Sequence, residues 1–153
     1  MPNNTTRVDP YRGFNFRVEI DGTPVASFSE VSGLTAEGDA VDYREGKDGV
    51  NNVRKLPGLR KFGVITLKRG YTKDSTLWDW YAQVATGGPK ARRNGSIVLR
   101  DEAQVDVLLF NFTNAFLNKI EGPHMTASGN EIAIESAELV HEGLSIKLAK
   151  NSR

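Results

Sequence analysis

Apolar residues in this chain fall mostly at every second position, the signature of strands with one buried face. From Gly13, Phe14, Phe16, Val18 and Ile20 alternate with Asn15, Arg17 and Glu19. Asp21-Gly22 follows as a two-residue turn signal, and Val25 to Val31 reads as the return strand of a hairpin. Phe62 to Arg69 is rich in Val, Ile, Thr and Leu and predicts another strand. Ser96 to Arg100, Val105 to Phe112 and Phe116 to Ile120 are further candidates, with a break at Gly122-Pro123. Ile132 and Ile134 alternate with Glu131 and Glu135, after which the apolar phase moves to Ala137 and Leu139; this predicts a bulge near Ser136. On that reading Glu131 and Glu135 lie on a solvated or intersubunit face. Leu144, Ile146 and Leu148 alternate in a closing strand.

One segment has a helical period. Asp74 or Ser75 can cap it, and Gly87-Gly88-Pro89 can end it. Its predicted apolar stripe is Leu77, Trp78, Tyr81, Val84 and Ala85. Trp80 lies beside that stripe, either as a partly buried core residue or as an interface anchor, since tryptophan is enriched at interfaces. These elements predict a mainly β fold, an antiparallel sandwich or barrel with one packed helix. With 153 residues, a single domain over 1–153 is expected. Residues 1–8 are polar and read as a flexible N-terminus.

Residues 33–61 break the pattern. They are rich in Gly, Asp, Asn, Arg and Lys, with isolated Val41, Tyr43, Val53, Leu56 and Leu59. Val41 to Arg44 and Asn52 to Lys55 read as the arms of a long extended hairpin with its tip at Asp48-Gly49. Lys55-Leu56-Pro57-Gly58-Leu59 reads as a turn. So few apolar side chains cannot offset about 1–2 kcal/mol of backbone ordering per residue. The segment is therefore expected to lie against neighbouring subunits, anchored by Tyr43, Leu56 and Leu59.

The chemistry of an enzyme is missing. There is no cysteine, hence no disulfide framework, thiolate zinc site or cysteine nucleophile. His124 follows a Gly-Pro turn and His141 lies between the last two strands, neither with a partner at metal-ligand spacing. No catalytic residue, metal or cofactor is expected. Gly87-Gly88-Pro89-Lys90 follows a helix, so it is no phosphate loop. The formal net charge is +1, so no strong field draws the chain to DNA or to an anionic membrane. The basic cluster Arg54, Lys55, Arg60 and Lys61 has acids nearby and reads as a protein interface, without specific nucleic-acid binding. The opening residues carry no secretory pattern, and no apolar run is long enough to insert in a membrane.

Several segments, in order, resemble the contractile-phage tail tube family. They are Asp9 to Phe16, Val18 to Gly22, Phe28 to Leu34, Tyr43 to Gly46, Arg54 to Leu59, Thr66 to Gly70, Leu77 to Trp80, Gly129 to Glu135 and Glu138 to Leu144. The branch they most resemble is the inner tube of antifeeding-prophage and Photorhabdus virulence-cassette contractile injection systems. Where the family often carries tryptophan and proline, this chain has Asn114-Ala115-Phe116-Leu117-Asn118, with Phe116 keeping an aromatic. The resemblance implies a structural subunit of hexameric rings stacked into a tube. It also implies a sheath protein outside, baseplate, spike and tube-cap proteins at the ends, and effector cargo in the lumen. Synthesis and assembly in a bacterial cytoplasm follow, in a particle released or retained by the cell. A non-polymerising baseplate or tube-cap adaptor with the same fold is the alternative. Expected interface residues are Tyr43, Arg44, Glu45, Arg54, Lys55, Leu56, Leu59 and Trp80.

Overall fold

The computed structural model describes residues 16–25, 28–44, 53–70, 74–88, 91–129 and 133–149. Its elements are β1 (Phe16–Ile20), β2 (Thr23–Val25), β3 (Phe28–Ser32), β4 (Ala36–Tyr43), β5 (Arg54–Phe62), β6 (Ile65–Gly70), α1 (Thr76–Thr86), β7 (Arg93–Arg100), β8 (Asp106–Glu121), β9 (Ile134–Val140) and β10 (Gly143–Leu148). All strand pairs are antiparallel. Eight strands form one sheet in the order β2-β1-β7-β8-β9-β6-β3, with β10 also on β8; among the described residues β4 and β5 pair only with each other.

The long strand β8 joins the two halves of the sheet. Its residues up to Ala115 pair with β7, and Leu108 to Thr113 also pair with β10. From Phe116 onward it pairs with β9. Asn114, at φ 50°, marks the change; asparagine tolerates the left-handed region better than most residues. The Asn114 N–H donates to Asn94 Oδ1 at 2.9 Å, and its side-chain amide donates to Glu142 at 3.1 Å. Arg92 binds Glu142 at 2.9 Å and lies over the Phe116 ring at 5.1 Å. The region read as two strands is therefore one continuous strand with a polar-braced corner, and Phe116 keeps a packing role there. The two halves share one core: Val18, Ile20, Ile97 and Phe112 from one, Ile65, Leu67, Ala137 and Leu139 from the other, with Leu77 and Trp80 from the helix.

The turn at Asp21-Gly22 is as expected, with φ 52° and 77°, values that a two-residue hairpin turn demands. The predicted return strand, however, is two elements: β2 pairs with β1, while β3 crosses to β6 at the far edge. The bulge predicted near Ser136 is absent from the β6–β9 ladder, which runs in unbroken register from Ile65↔Leu139 to Gly70↔Ile134. The irregularity lies instead on β8, between Leu117 and Lys119. At the start of β9 the faces are the reverse of the expectation: Ile134 is exposed and Glu135 is buried, on the same side as Ala137 and Leu139, which face the core as expected. Arg69 explains this. Its Nε donates to Glu135 Oε2 at 2.9 Å and its Nη2 to the Asp74 carbonyl at 2.8 Å, while the Phe28 ring lies 5.6 Å away. Glu131 lies outside the described residues.

The helix is also rotated from its predicted phase. Leu77 and Trp80 are buried and Val84 is packed against the core, whereas Trp78 and Tyr81 are exposed. Trp80 donates from Nε1 to the Ala91 carbonyl at 2.8 Å, and Arg93 stacks over its ring at 5.2 Å. Asp74 supplies the helix-start hydrogen bond by accepting from the Thr76 N–H at 3.0 Å. Gly87 and Gly88 close the other end on the Val84 and Gln83 carbonyls.

Two carboxylates tie separate elements together, Asp106 of β8 to β1 and Asp74 before α1 to β6. Arg17 grips Asp106 with two bonds of 2.6 and 2.7 Å. These hydrogen bonds hold the Asp106 carboxyl below its ordinary value of 3.8, with help from the nearby Arg17 and Arg100 charges. The Thr76 hydroxyl and N–H, then Arg69, do the same for Asp74. A depressed carboxyl contributes stability above its unfolded pKa and loses it as pH falls through the folded value. Urea unfolding is therefore expected to show stability falling once pH drops below about 4, with a shallower fall in Asp106→Asn. An equal slope in that variant would show that the Arg17 clamp adds nothing.

Candidate subunit interface

The ribbon formed by β4 and β5 is the least covered element. Every residue of β4 is exposed, and in β5 only Gly58 and Phe62 are partly buried. The expected turn at residues 55–59 is instead strand: β5 continues through it, with Val41 opposite Leu56 and Asp42 opposite Lys55. The register slips by one residue between Gly38↔Arg60 and Ala40↔Pro57, so Gly58 and Leu59 together oppose Asp39. This is a bulge, which fits an edge strand carrying proline. A Cβ on Gly58 would come within 2.8 Å of the Asp39 carbonyl oxygen and 3.0 Å of Val41, so only glycine fits there.

The register sorts the ribbon into two faces. One carries Val41, Tyr43, Leu56 and Leu59, which are 50%, 43%, 46% and 76% exposed, together with Glu37, Asp39, Arg54 and Lys61. The other carries Ala36, Gly38, Ala40 and Pro57, with Asp42, Lys55 and Arg60. At its base the ribbon is seated on its own chain. Phe62 stacks on His141 at 5.4 Å, and Gly63 donates to the Thr35 carbonyl at 3.1 Å. His141 is itself a packing residue, 3.1 Å from the Gly143 carbonyl and against Phe112. His124 is exposed. Among the described residues no three His, Asp or Glu converge to hold a metal, and no helix is long and apolar enough to cross a membrane.

The structure thus brings Tyr43, Arg54, Leu56 and Leu59 to one face of the ribbon, places Lys55 on the other, and leaves Arg44 at the end of β4. Glu45 and the tip at Asp48-Gly49 lie outside the described residues. Trp80 does not belong with them: it is wholly buried, so it is a core residue and not an interface anchor. Its neighbours Trp78 and Tyr81 are exposed, contrary to the apolar stripe expected from the sequence. Sequence reasoning also missed Val41 as part of the apolar face. It missed Ile146 and Leu148, 65% and 66% exposed on β10, which among the described residues pairs on one side only. Their alternation announced a strand, and nothing in it announced an edge.

This architecture has known counterparts. The family model of the T4-like virus tail tube protein gp19 matches residues 12–145. Among solved structures, a chain of the PVC sheath–tube complex of an extracellular contractile injection system, in its extended state, is similar. It superposes with a TM-score of 0.80 at 27% identity, over 92% of this chain and 93% of that one. The tube-terminating cap of the anti-feeding prophage matches with a TM-score of 0.81 at 26% identity, over 97% of this chain and 100% of that one. Hcp1 from Flavobacterium johnsoniae shares the fold at 17% identity, with a TM-score of 0.53 over 87% of this chain and 94% of that one. A search of curated proteins finds no match. With the family model spanning nearly all of the β-framework and the ribbon alike, the chain belongs to the T4-like virus tail tube protein gp19 family, as a tail-tube-like protein of contractile injection systems.

Proposed function

We propose that this chain is the inner-tube subunit of such a system, a non-enzymatic structural protein whose 153 residues fold as one tail-tube domain. Copies close into hexameric rings, and rings stack into a hollow tube inside a contractile sheath, between a baseplate with its spike and a tube cap. Effector cargo occupies the lumen. The particle is built in the bacterial cytoplasm as a phage tail-like assembly. The observation that carries this reading is the ribbon: exposed apolar side chains of Val41, Tyr43, Leu56 and Leu59 share one face with charged residues and are held out from the core by a seated base. An exposed apolar face of this kind fits a partner surface, and a repeated head-to-tail contact builds rings and filaments. A net charge of +1 adds little repulsion between stacked copies. A second reading, a cap or baseplate adaptor that forms one ring and stops, is favoured by the similarity to the anti-feeding prophage cap.

Negative-stain microscopy of the purified protein separates the readings. Tubes are expected for the tube subunit and isolated rings for the adaptor. A protein that stays monomeric at high concentration, and also when supplied with baseplates, would refute both.

A further inference from the structure

The two strands of the ribbon carry opposite charge. β4 reads Ala-Glu-Gly-Asp-Ala-Val-Asp-Tyr, with Glu37, Asp39 and Asp42 and no base. β5 reads Arg-Lys-Leu-Pro-Gly-Leu-Arg-Lys-Phe, with Arg54, Lys55, Arg60 and Lys61 and no acid. The ribbon is therefore negative along one edge and positive along the other. Asp42 and Lys55 pair across it, and Asp39 lies 3.6 Å from Lys61. The side chains of these four are 53–66% exposed. Exposed pairs of this kind hold weakly. Each carboxylate keeps acceptor capacity and each ammonium keeps donors for a second partner.

The two outer edges join no other strand among the described residues. Pro57, which has no N–H, and the bulge at Gly58 and Leu59 interrupt the regular ladder of β5. A neighbour on that edge is then selected by side-chain charge more than by backbone pairing. Copies related by rotation about an axis along the ribbons keep all ribbons pointing one way. The β5 edge of each copy then faces the β4 edge of the next, antiparallel and of opposite sign.

We propose that the ribbon is an electrically polarised docking edge for a second copy of this chain, with acidic β4 of one copy seated against basic β5 of the next. This rests on the assembly reading above and adds the rule by which like copies select one another. Like-charge juxtaposition at a protein contact is strongly disfavoured, so polarity fixes the order of edges and rejects a copy presented the wrong way.

The test is a charge exchange at six positions, with Arg54 left in place, that preserves the pairs within each ribbon and the net charge. It combines Glu37→Lys, Asp39→Lys and Asp42→Lys with Lys55→Glu, Arg60→Glu and Lys61→Glu. Exchanged and wild-type proteins are labelled with different fluorophores, mixed and assembled. Each is expected to assemble with its own kind, with mixed neighbours at least about tenfold below the statistical frequency. Statistical mixing at the wild-type rate would overturn the proposal, since the charges would then act only inside the ribbon. Should the exchanged protein not fold, wild-type salt dependence decides. The critical concentration for assembly should rise about tenfold between about 0.05 and 0.5 M sodium chloride as screening grows. An unchanged or falling value would overturn the proposal. Failure of wild-type protein to assemble at all would instead count against the function proposed above.

Discussion

Leu56→Asp combined with Leu59→Asp should abolish assembly while leaving the subunit folded. Both side chains stand on the outward apolar face of the ribbon, 46% and 76% exposed. Their loss therefore costs the free subunit little; surface substitutions of this kind fall within about 0.5 kcal/mol. In an assembly that buries them, each leucine contributes roughly 1.5–3 kcal/mol. Placing a carboxylate there adds a desolvation cost. At about 1.4 kcal/mol per factor of ten, the critical concentration should rise by at least about a hundredfold. Sedimentation of assembled from free protein reads this directly, with urea unfolding of the subunit as the control. Removing the ribbon from about Asp42 to Arg54 should act the same way. Hydrogen exchange supplies the independent check: amides of β4 and β5 should exchange quickly in the free subunit and slowly in the assembly. Equal protection in both states would mean that the ribbon packs on its own chain, and normal assembly of the double aspartate variant would remove its apolar face from the interface.

The ribbon was legible in the sequence because its composition is unlike that of the core strands. A stretch with few apolar residues between two well-patterned strands must leave the core, and it does. The Asp21-Gly22 turn and the Gly87-Gly88 helix end were legible because each depends on local backbone geometry. The misread elements share another cause: their pattern is set by tertiary partners. Glu135 reads as a surface residue because a lone carboxylate is costly to bury; only Arg69, opposite it in the register of β6 and β9, makes its burial tolerable. Once Glu135 turns inward, Ile134 must turn outward, and the strand keeps one phase through Ala137 and Leu139 with no bulge between. Trp80 outcompetes Trp78 for the core because Leu77, Trp80 and Val84 align on one side of the helix and the Trp80 indole finds the Ala91 carbonyl. The junction of β8 at Asn114 was hidden since a corner braced by Asn94, Arg92 and Glu142 draws on residues far apart in sequence. The candidate interface was readable as a segment and not residue by residue, since exposure depends on which strands end a sheet.

The Arg69–Glu135 pair leads to the largest expected effect on subunit stability. Both side chains are 1% exposed. Glu135 Oε1 is buried without a hydrogen-bond partner among the described residues, so its carboxylate relies on Arg69. Arg69, by contrast, has a second support in Asp74, through the carboxylate at 3.1 Å and the carbonyl at 2.8 Å. The two deletions should therefore be unequal. Arg69→Met strands a buried charge and removes the tie between β6 and the start of α1; a loss of about 3–5 kcal/mol is expected. Glu135→Leu leaves Arg69 on Asp74 and should cost less. The double variant, Arg69→Met with Glu135→Leu, removes the charge together with its partner, and such apolar replacement of a buried pair is often neutral or stabilising. It should recover most of the stability that Arg69→Met loses. Urea unfolding of the three variants measures all of this at once. If the double variant is as unstable as the sum of the singles, the pair contributes through packing volume and the charge argument fails.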